Sequence, residues 1–270
     1  MKELYIFDLD GTITESKSPM SLDMSVLMYS LLRIKKVAII TGGRLSQIQS
    51  QFIDRLFDGL SVQDRLSSDI RLVKVLVNLF LLPASGTSLY TYKEGKWGCE
   101  YSLDFTQEQK NKIIEAMMSV HKPRKNVKIY GNIIDDRGSQ ITLSALGQEA
   151  PLSVKKRWDP TMAKRIKLVK KLQAILPDFE IRAGGASSVD VTFKGIDKSY
   201  GIRKILEYLD IPPQRALFIG DAIFEGGNDY PVKKTGVDYI SVGDPGGTYL
   251  VVKDIVDGYN IPYSVGSDGH

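Results

Sequence analysis

The 270-residue chain has one cysteine, Cys99, so it can form neither an intrachain disulfide nor a cysteine-based metal cluster. A reducing cytosol is the simplest compartment for such a chain, and a cytoplasmic location is expected. No apolar run is long enough to span a bilayer. The most apolar stretch, VKVLVNLFLLPA (73–84), is short, is interrupted by Asn78 and Pro83, and reads as a buried strand or helix. The basic, apolar and small-residue zones of a signal peptide are missing, as are internal repeats and low-complexity tracts. Strong charge of either sign is lacking too. The net charge of +4 suits a small anionic substrate and gives no independent sign of nucleic acid. What is present is ordinary globular composition, 43% hydrophobic and 25% charged with a mean hydropathy of -0.13, enough for one large domain or two smaller ones.

Three segments read as strands buried on both faces: ELYIFD (3–8), KVAIIT (36–41) and RALFIGD (215–221). Each is a short apolar run closed by a polar residue and followed by glycine, as expected of parallel strands that open into loops at their carboxyl ends. Helices alternate with them, one after Gly43 toward Phe57 and one after Asp197, a predicted N-cap, ending before the IPP of 211–213. The pattern predicts a doubly wound α/β sheet, whose ligands bind outside the carboxyl ends of the strands.

The middle of the chain has a different texture. Thr106 with Gln109 forms a capping box ahead of an amphipathic helix, and NVKIYGNII (126–134), QITLSAL (140–146) and SVDVTF (188–193) alternate like strands. A basic helix is predicted to enter at Asp159–Pro160, with proline at its first position. Together these predict an α+β cap over 91–193, inserted into a core formed by 1–90 and 194–270. The tail beyond Tyr259 reads as loosely ordered.

The chemistry concentrates at strand ends. FDLDGTIT (7–14) places Asp8 and Asp10 two residues apart, on the same side of an extended chain, although an isolated pair of this kind also reads as a turn or a helix cap. GDAIFEGGND (220–229) follows another apolar strand and supplies Asp221, Glu225 and Asp229 among glycines, where an acidic turn is the plain alternative. Carboxylates at adjacent strand ends make a hard oxygen site suited to Mg²⁺. Thr41 with Gly42 and Gly43 could hold an anion near a helix start, and Lys198 could neutralise a phosphoryl oxygen.

In this order FDLDGTIT, TGG, DK and GDAIFEGGND resemble the four motifs of the haloacid dehalogenase superfamily of phosphotransferases. The resemblance implies a Rossmann-like core, Mg²⁺ as cofactor and Asp8 as the nucleophile. It makes Asp10 the general acid and base and a metal ligand through its backbone carbonyl. Thr41, Gly42 and Lys198 become phosphate-binding, Asp8 and Asp221 bind metal through their carboxylates, and Asn228 and Asp229 support the site. A carboxylate nucleophile splits phosphoryl transfer into formation and breakdown of an aspartyl phosphate.

The order SVDVTFKGIDKSY is similar to the SFDVFPxGWDKRY of eukaryotic-type phosphomannomutases, and DRGSQITLSALGQ (136–148) resembles their FRNGMLNxSPIGR. On that likeness Arg137 and Asp190 are candidates for binding the sugar or its distal phosphate, and the caps are expected to pair into a homodimer as related mutases do. Three departures stand out: Gln148 replaces the arginine of SPIGR, Lys17 aligns with the arginine after DxDGT, and TGGR (41–44) replaces VGGS. A mutase grips two phosphates, so these changes point to a depleted second site. The sequence therefore favours a Mg²⁺-dependent phosphatase for a sugar phosphate or similar small phosphomonoester. The alternative is a phosphomannomutase or other phosphohexomutase using a hexose bisphosphate. A small phosphorylated metabolite is the expected partner, with no nucleic acid and no membrane; the basic segment KRIKLVKKL (164–172) reads as one buried face of a helix.

Overall fold

The computed structural model describes residues 2–58, 75–122 and 127–260. Five parallel strands, alternating with helices, form the main part of the core sheet.

 They are β1 (Leu4–Asp8), β2 (Lys36–Ile40), β3 (Leu79–Leu82), β10 (Ala216–Gly220) and β11 (Asp238–Ser241). All pair in parallel, in the order β11-β10-β1-β2-β3. β1 is buried along its whole length, as a central strand covered on both faces must be. α1 (Leu22–Leu32) and α7 (Pro245–Asn260) cover one face, where Phe7, Ile39 and Leu81 pack with Met24, Met28 and Val252. α6 (Lys198–Leu209) covers the other, where Ile6, Ile40 and Phe218 meet Ile202 and Ile205. Alternate side chains of each strand thus feed two separate cores.

The sheet continues past β3 through an antiparallel hairpin, β4 (Ser88–Lys93) and β5 (Lys96–Ser102), to give seven strands. This corrects the expected boundary: residues 91–102 pair with the core sheet, and the second unit begins beyond Ser102. That unit is a four-stranded antiparallel sheet in the order β6-β7-β9-β8, from β6 (Ile134–Asp136), β7 (Gln140–Ser144), β8 (Phe179–Ala183) and β9 (Ser188–Phe193). α3 (Gln107–Val120) and α5 (Ala163–Ile175) cover one face, with Ile141, Leu143, Val189 and Val191 packed against Ile113, Met117 and Leu172. The short α4 (Leu152–Trp158) precedes α5.

Thr106 and Gln109 make both bonds of the expected capping box at the start of α3. Two other local expectations fail. Residues 127–133 form no strand, and pairing starts only at Ile134. Tyr130 N bonds Leu146 O instead, while Gly131 and Gly147 adopt left-handed conformations that turn both segments. Pro160 does not open α5, which starts three residues later. Asp159 turns back on that start, accepting from the backbone N–H groups of Lys164 and Arg165 and from Arg165 Nε. Within the segment 73–84, read as strand or helix, Val75 and Leu76 are helical and Leu79–Leu82 form β3, while residues 73–74 lie outside the described residues, as does the tail 261–270. Among the described residues, no helix is long and apolar enough to cross a membrane.

Candidate active site

Parallel pairing aligns the ends of β1, β2 and β10, so Asp8, Thr41 and Asp221 emerge at one edge. The first residue of α6 delivers Lys198 to the same place. Its helix is fixed by Asp197, whose side chain accepts from Ser199 N at 2.9 Å, as an N-cap should. Asp229 arrives from the loop after β10, held by Ala222 N, which donates to Asp229 Oδ2 at 3.1 Å.

Lys198 is the electrostatic centre. Its Nζ donates to Asp8 Oδ1 and to Asp229 Oδ1, each at 2.5 Å, and all three side chains are almost fully buried. Burial disfavours the ammonium, yet the two carboxylates outweigh it and raise the Lys198 pKa. Burial also pushes Asp8 up to about 7; Lys198 opposes the shift and the Asp229 charge adds to it. Asp8 Oδ2 is buried with no hydrogen-bond partner among the described residues. Asp8, Asp221 and Asp229 each bring one carboxylate oxygen within 4.8 Å of the others. An oxygen-only donor set with an unsatisfied carboxylate oxygen fits a hard divalent cation. Thr12 Oγ1 donates to Asp221 Oδ1 at 3.1 Å. Gly11, at φ +86°, lies so close that a Cβ there would come within 2.7 Å of Asp221 Oδ2, so glycine is needed both for conformation and for space.

Asp10 turns its side chain away from this cluster. Asp10 Oδ1 accepts from Lys17 N at 2.7 Å and from Gln51 Nε2 at 3.3 Å, and Oδ2 accepts from Gln47 Nε2 at 2.5 Å. Its carboxylate is therefore outside the acidic cluster, which leaves its backbone carbonyl as the group expected to meet a metal. Gln47 and Gln51 lie four residues apart on α2 (Leu45–Gln51), one face of one helix. Sequence reading missed both, although their i, i+4 spacing just beyond TGG was the available signal. Thr41 Oγ1 accepts from Gly43 N at 3.0 Å. Asn228 is exposed on the wall of the crevice, while Glu225 is exposed and outside the acidic cluster.

Above this edge is a crevice of about 310 Å³, walled below by Asp8, Asp10, Thr41 and Gly42 and above by the second sheet. Arg137 and Asp190 both line it. β7 and β9 pair Thr142 with Asp190, and Thr142 Oγ1 donates to Asp190 Oδ1 at 2.7 Å. Burial raises the Asp190 pKa. Burial lowers that of Arg137, whose Nε donates to Asp135 Oδ2 at 3.0 Å. Asp135 also pairs with Arg44 from the loop after β2, so one carboxylate ties the two units together. Gln148 lines the crevice with its Nε2 buried and unpartnered among the described residues. Beside it is Lys155, a residue sequence reading passed over because α4 is too short to show periodicity. Lys155 Nζ donates to Gln148 O at 2.8 Å, and its pKa is lowered by burial and by the nearby Lys17 charge. Lys17, Arg137 and Lys155 therefore bring three cations to the crevice, and the expected depletion of a second phosphate site is only partial.

Comparison with known proteins identifies the family and the fold. The family model for eukaryotic phosphomannomutase matches residues 58–257. A phosphomannomutase of Encephalitozoon cuniculi is 27% identical over 263 residues, covering 93% of this chain and 92% of that protein. Among solved structures, a haloacid dehalogenase-like hydrolase from Bacteroides thetaiotaomicron shares 16% identity with a TM-score of 0.61, covering 94% of this chain and all of that one. An IMP-bound, N-terminally truncated IMP-nucleotidase of Plasmodium falciparum has a TM-score of 0.62 at 16% identity, covering 95% of this chain and 68% of that one. At such identities the two structures show a shared fold alone.

Proposed function

The chain belongs to the eukaryotic phosphomannomutase family within the haloacid dehalogenase superfamily, and from that premise we propose that it moves a phosphoryl group between two positions of a hexose phosphate through an aspartyl phosphate on Asp8. The observation that carries this reading is the set of three cations, Lys17, Arg137 and Lys155, that line the crevice in addition to the buried Lys198 paired with Asp8. A hexose bisphosphate has two anionic ends, and these cations are available to the one that does not meet Asp8. The family and the named relative favour this mutase reading over the hydrolase that the sequence departures suggested.

Asp8 Oδ2 attacks phosphorus while Asp10 gives its proton to the departing sugar oxygen. In the reverse half-reaction Asp10 takes the proton of the acceptor hydroxyl, which attacks phosphorus and frees Asp8. Gln47, Gln51 and the Lys17 N–H hold the Asp10 carboxylate for both transfers. Lys198 offsets charge on the phosphoryl oxygens, and Thr41 with Gly42 orients them. Mg²⁺ fits the oxygen cluster and would be held by Asp8, Asp221 and the Asp10 carbonyl, with Asp229 and Asn228 in support. When bound it would supply further charge neutralisation. The second unit serves as a cap that selects substrate, with Arg137 and Asp190 meeting the sugar or its distal phosphate.

Gln148 favours a second reading. An amide stands where related mutases carry an arginine, and a loosely held intermediate would lose its phosphoryl group to water, making the enzyme a sugar phosphatase. One incubation separates the two: the protein with Mg²⁺, mannose 1-phosphate and catalytic hexose bisphosphate, following hexose 6-phosphate and free phosphate. Stoichiometric 6-phosphate supports the mutase. Free phosphate as the main product overturns it.

A further inference from the structure

A second cavity, of about 350 Å³, lies in the cap and shares no lining residue with the catalytic crevice. It sits on the helix-covered side of the second sheet, between the end of α3, α5 and the segment from Ala145 to Trp158. Lys164, Lys167 and Lys171 line it from α5, at i, i+3 and i+7 on one helix face, and Lys122 faces them from beyond α3. None of these four lysines forms an ion pair among the described residues. Leu168, Val127 and the Trp158 side chain give the cavity an apolar part.

The charge is concentrated beyond what solubility requires. Residues 152–171 hold eight lysines and arginines against the single carboxylate of Asp159, so this segment carries more positive charge than the whole chain's +4. A buried polar group also lacks a partner there. His121 lines the cavity and its ring is hydrogen bonded to the Ala145 backbone, while Nε2 is buried with no hydrogen-bond partner among the described residues. A buried unpaired nitrogen costs stability unless something occupies it.

We propose that this cavity binds a small polyphosphorylated compound with a flat or apolar body, its phosphates on the lysines and its body against Trp158 and Leu168. A volume of about 350 Å³ is that of a small-molecule site, whereas a nucleic acid would follow charge along an extended groove. Occupancy reaches the catalytic crevice through α4. Trp158 lines the cavity and Lys155, one turn earlier on the same helix, lines the crevice. A ligand that shifts Trp158 therefore shifts Lys155, so the cavity acts as an effector site. This link to catalysis rests on the reading proposed above, but binding does not.

The test is calorimetry on the full chain with inorganic tripolyphosphate and with ATP as probes, beside K167E/K171E, in which both altered side chains are exposed. The expected result is saturable one-to-one binding of both probes, tighter for ATP, and at least tenfold weaker in K167E/K171E with an unchanged melting temperature. The KM for mannose 1-phosphate should shift at saturating tripolyphosphate in the natural chain and stay fixed in K167E/K171E. Absence of saturable binding, or equal binding by K167E/K171E, overturns the site. RNA binding that ATP does not compete away overturns it in favour of a macromolecular surface. A KM unmoved by bound tripolyphosphate overturns the link through α4. A protein that turns over no hexose phosphate fails the proposed function instead, and calorimetry still decides the site.

Discussion

Gln47 Nε2 donates to Asp10 Oδ2 at 2.5 Å, so a helix that contributes no member of the acidic cluster fixes the direction of the carboxylate proposed for proton transfer. Gln47→Ala removes that bond and leaves Asp10 on Gln51 and the Lys17 N–H. Misdirected proton transfer should lower kcat by roughly 10- to 100-fold, with KM changed by less than about threefold. Steady-state kinetics check this. A KM effect of equal size would make Gln47 a substrate-binding residue instead.

Lys198 is enclosed between Asp8 and Asp229 with almost no exposure, so its loss leaves two buried carboxylates facing each other. Breaking a buried pair from one side typically costs about 3–5 kcal/mol. Lys198→Met should lose stability on that scale in urea unfolding, together with all turnover. Lys204→Met, which removes an exposed partner of Glu207, should cost about 1 kcal/mol or less.

The raised Asp8 pKa makes cation binding depend on pH. The folded protein binds a proton at Asp8 up to about 7, whereas the unfolded chain releases it near 3.8. Folding is therefore linked to proton uptake between these values, and in the metal-free protein the Asp8 contribution to stability falls as pH rises across that window. A divalent cation competes with that proton and relieves the unpaired carboxylate. The increase in melting temperature caused by MgCl2 should thus grow as pH rises through about 7. In Asp8→Asn the increase should be small and flat with pH.

Gly11 tests the same cluster by shape. Gly11→Ala forces a non-glycine residue into φ +86° and drives a Cβ onto the Asp221 carboxylate. The backbone strain alone should cost about 1 kcal/mol or more. Displacement of Asp221 should also weaken the MgCl2-dependent rise in melting temperature. Gly95→Ala has a similar φ of +80° and open space, so it should show the strain without the loss of cation response.

The sequence made the core legible because its parallel strands are buried on both faces. Runs such as LYIFD admit few other readings, and the motif acids follow directly at their ends. The expected cap boundary at residue 91 falls inside β4, whose hairpin with β5 is only half buried. Nothing local marks which sheet such a ribbon joins. The KIYGNII segment has a strand's composition, but Gly131 turns the chain and its pairing partner is Leu146, fifteen residues beyond Gly131. Lys155 was missed for a related reason: one of three consecutive basic residues on a seven-residue helix is indistinguishable from surface until folding places it beside Gln148.

Gln148 is where mutase and phosphatase readings part, and it can be changed directly. Its Nε2 is buried at the crevice without a partner among the described residues, and Lys155 already contacts its backbone carbonyl. Gln148→Arg would add a guanidinium fork beside Lys155, repulsive in the empty crevice and attractive once a second phosphate bridges the two. Stability of the free protein should therefore fall slightly, by about 1 kcal/mol, while stability with hexose bisphosphate bound should rise. A better-held intermediate has longer to return its phosphoryl group to sugar. The ratio of hexose 6-phosphate to free phosphate should accordingly increase by about tenfold, the effect of roughly 1.4 kcal/mol of added grip. An unchanged ratio would mean that Lys17, Arg137 and Lys155 already hold the distal phosphate, and that Gln148 does not govern where the phosphoryl group goes.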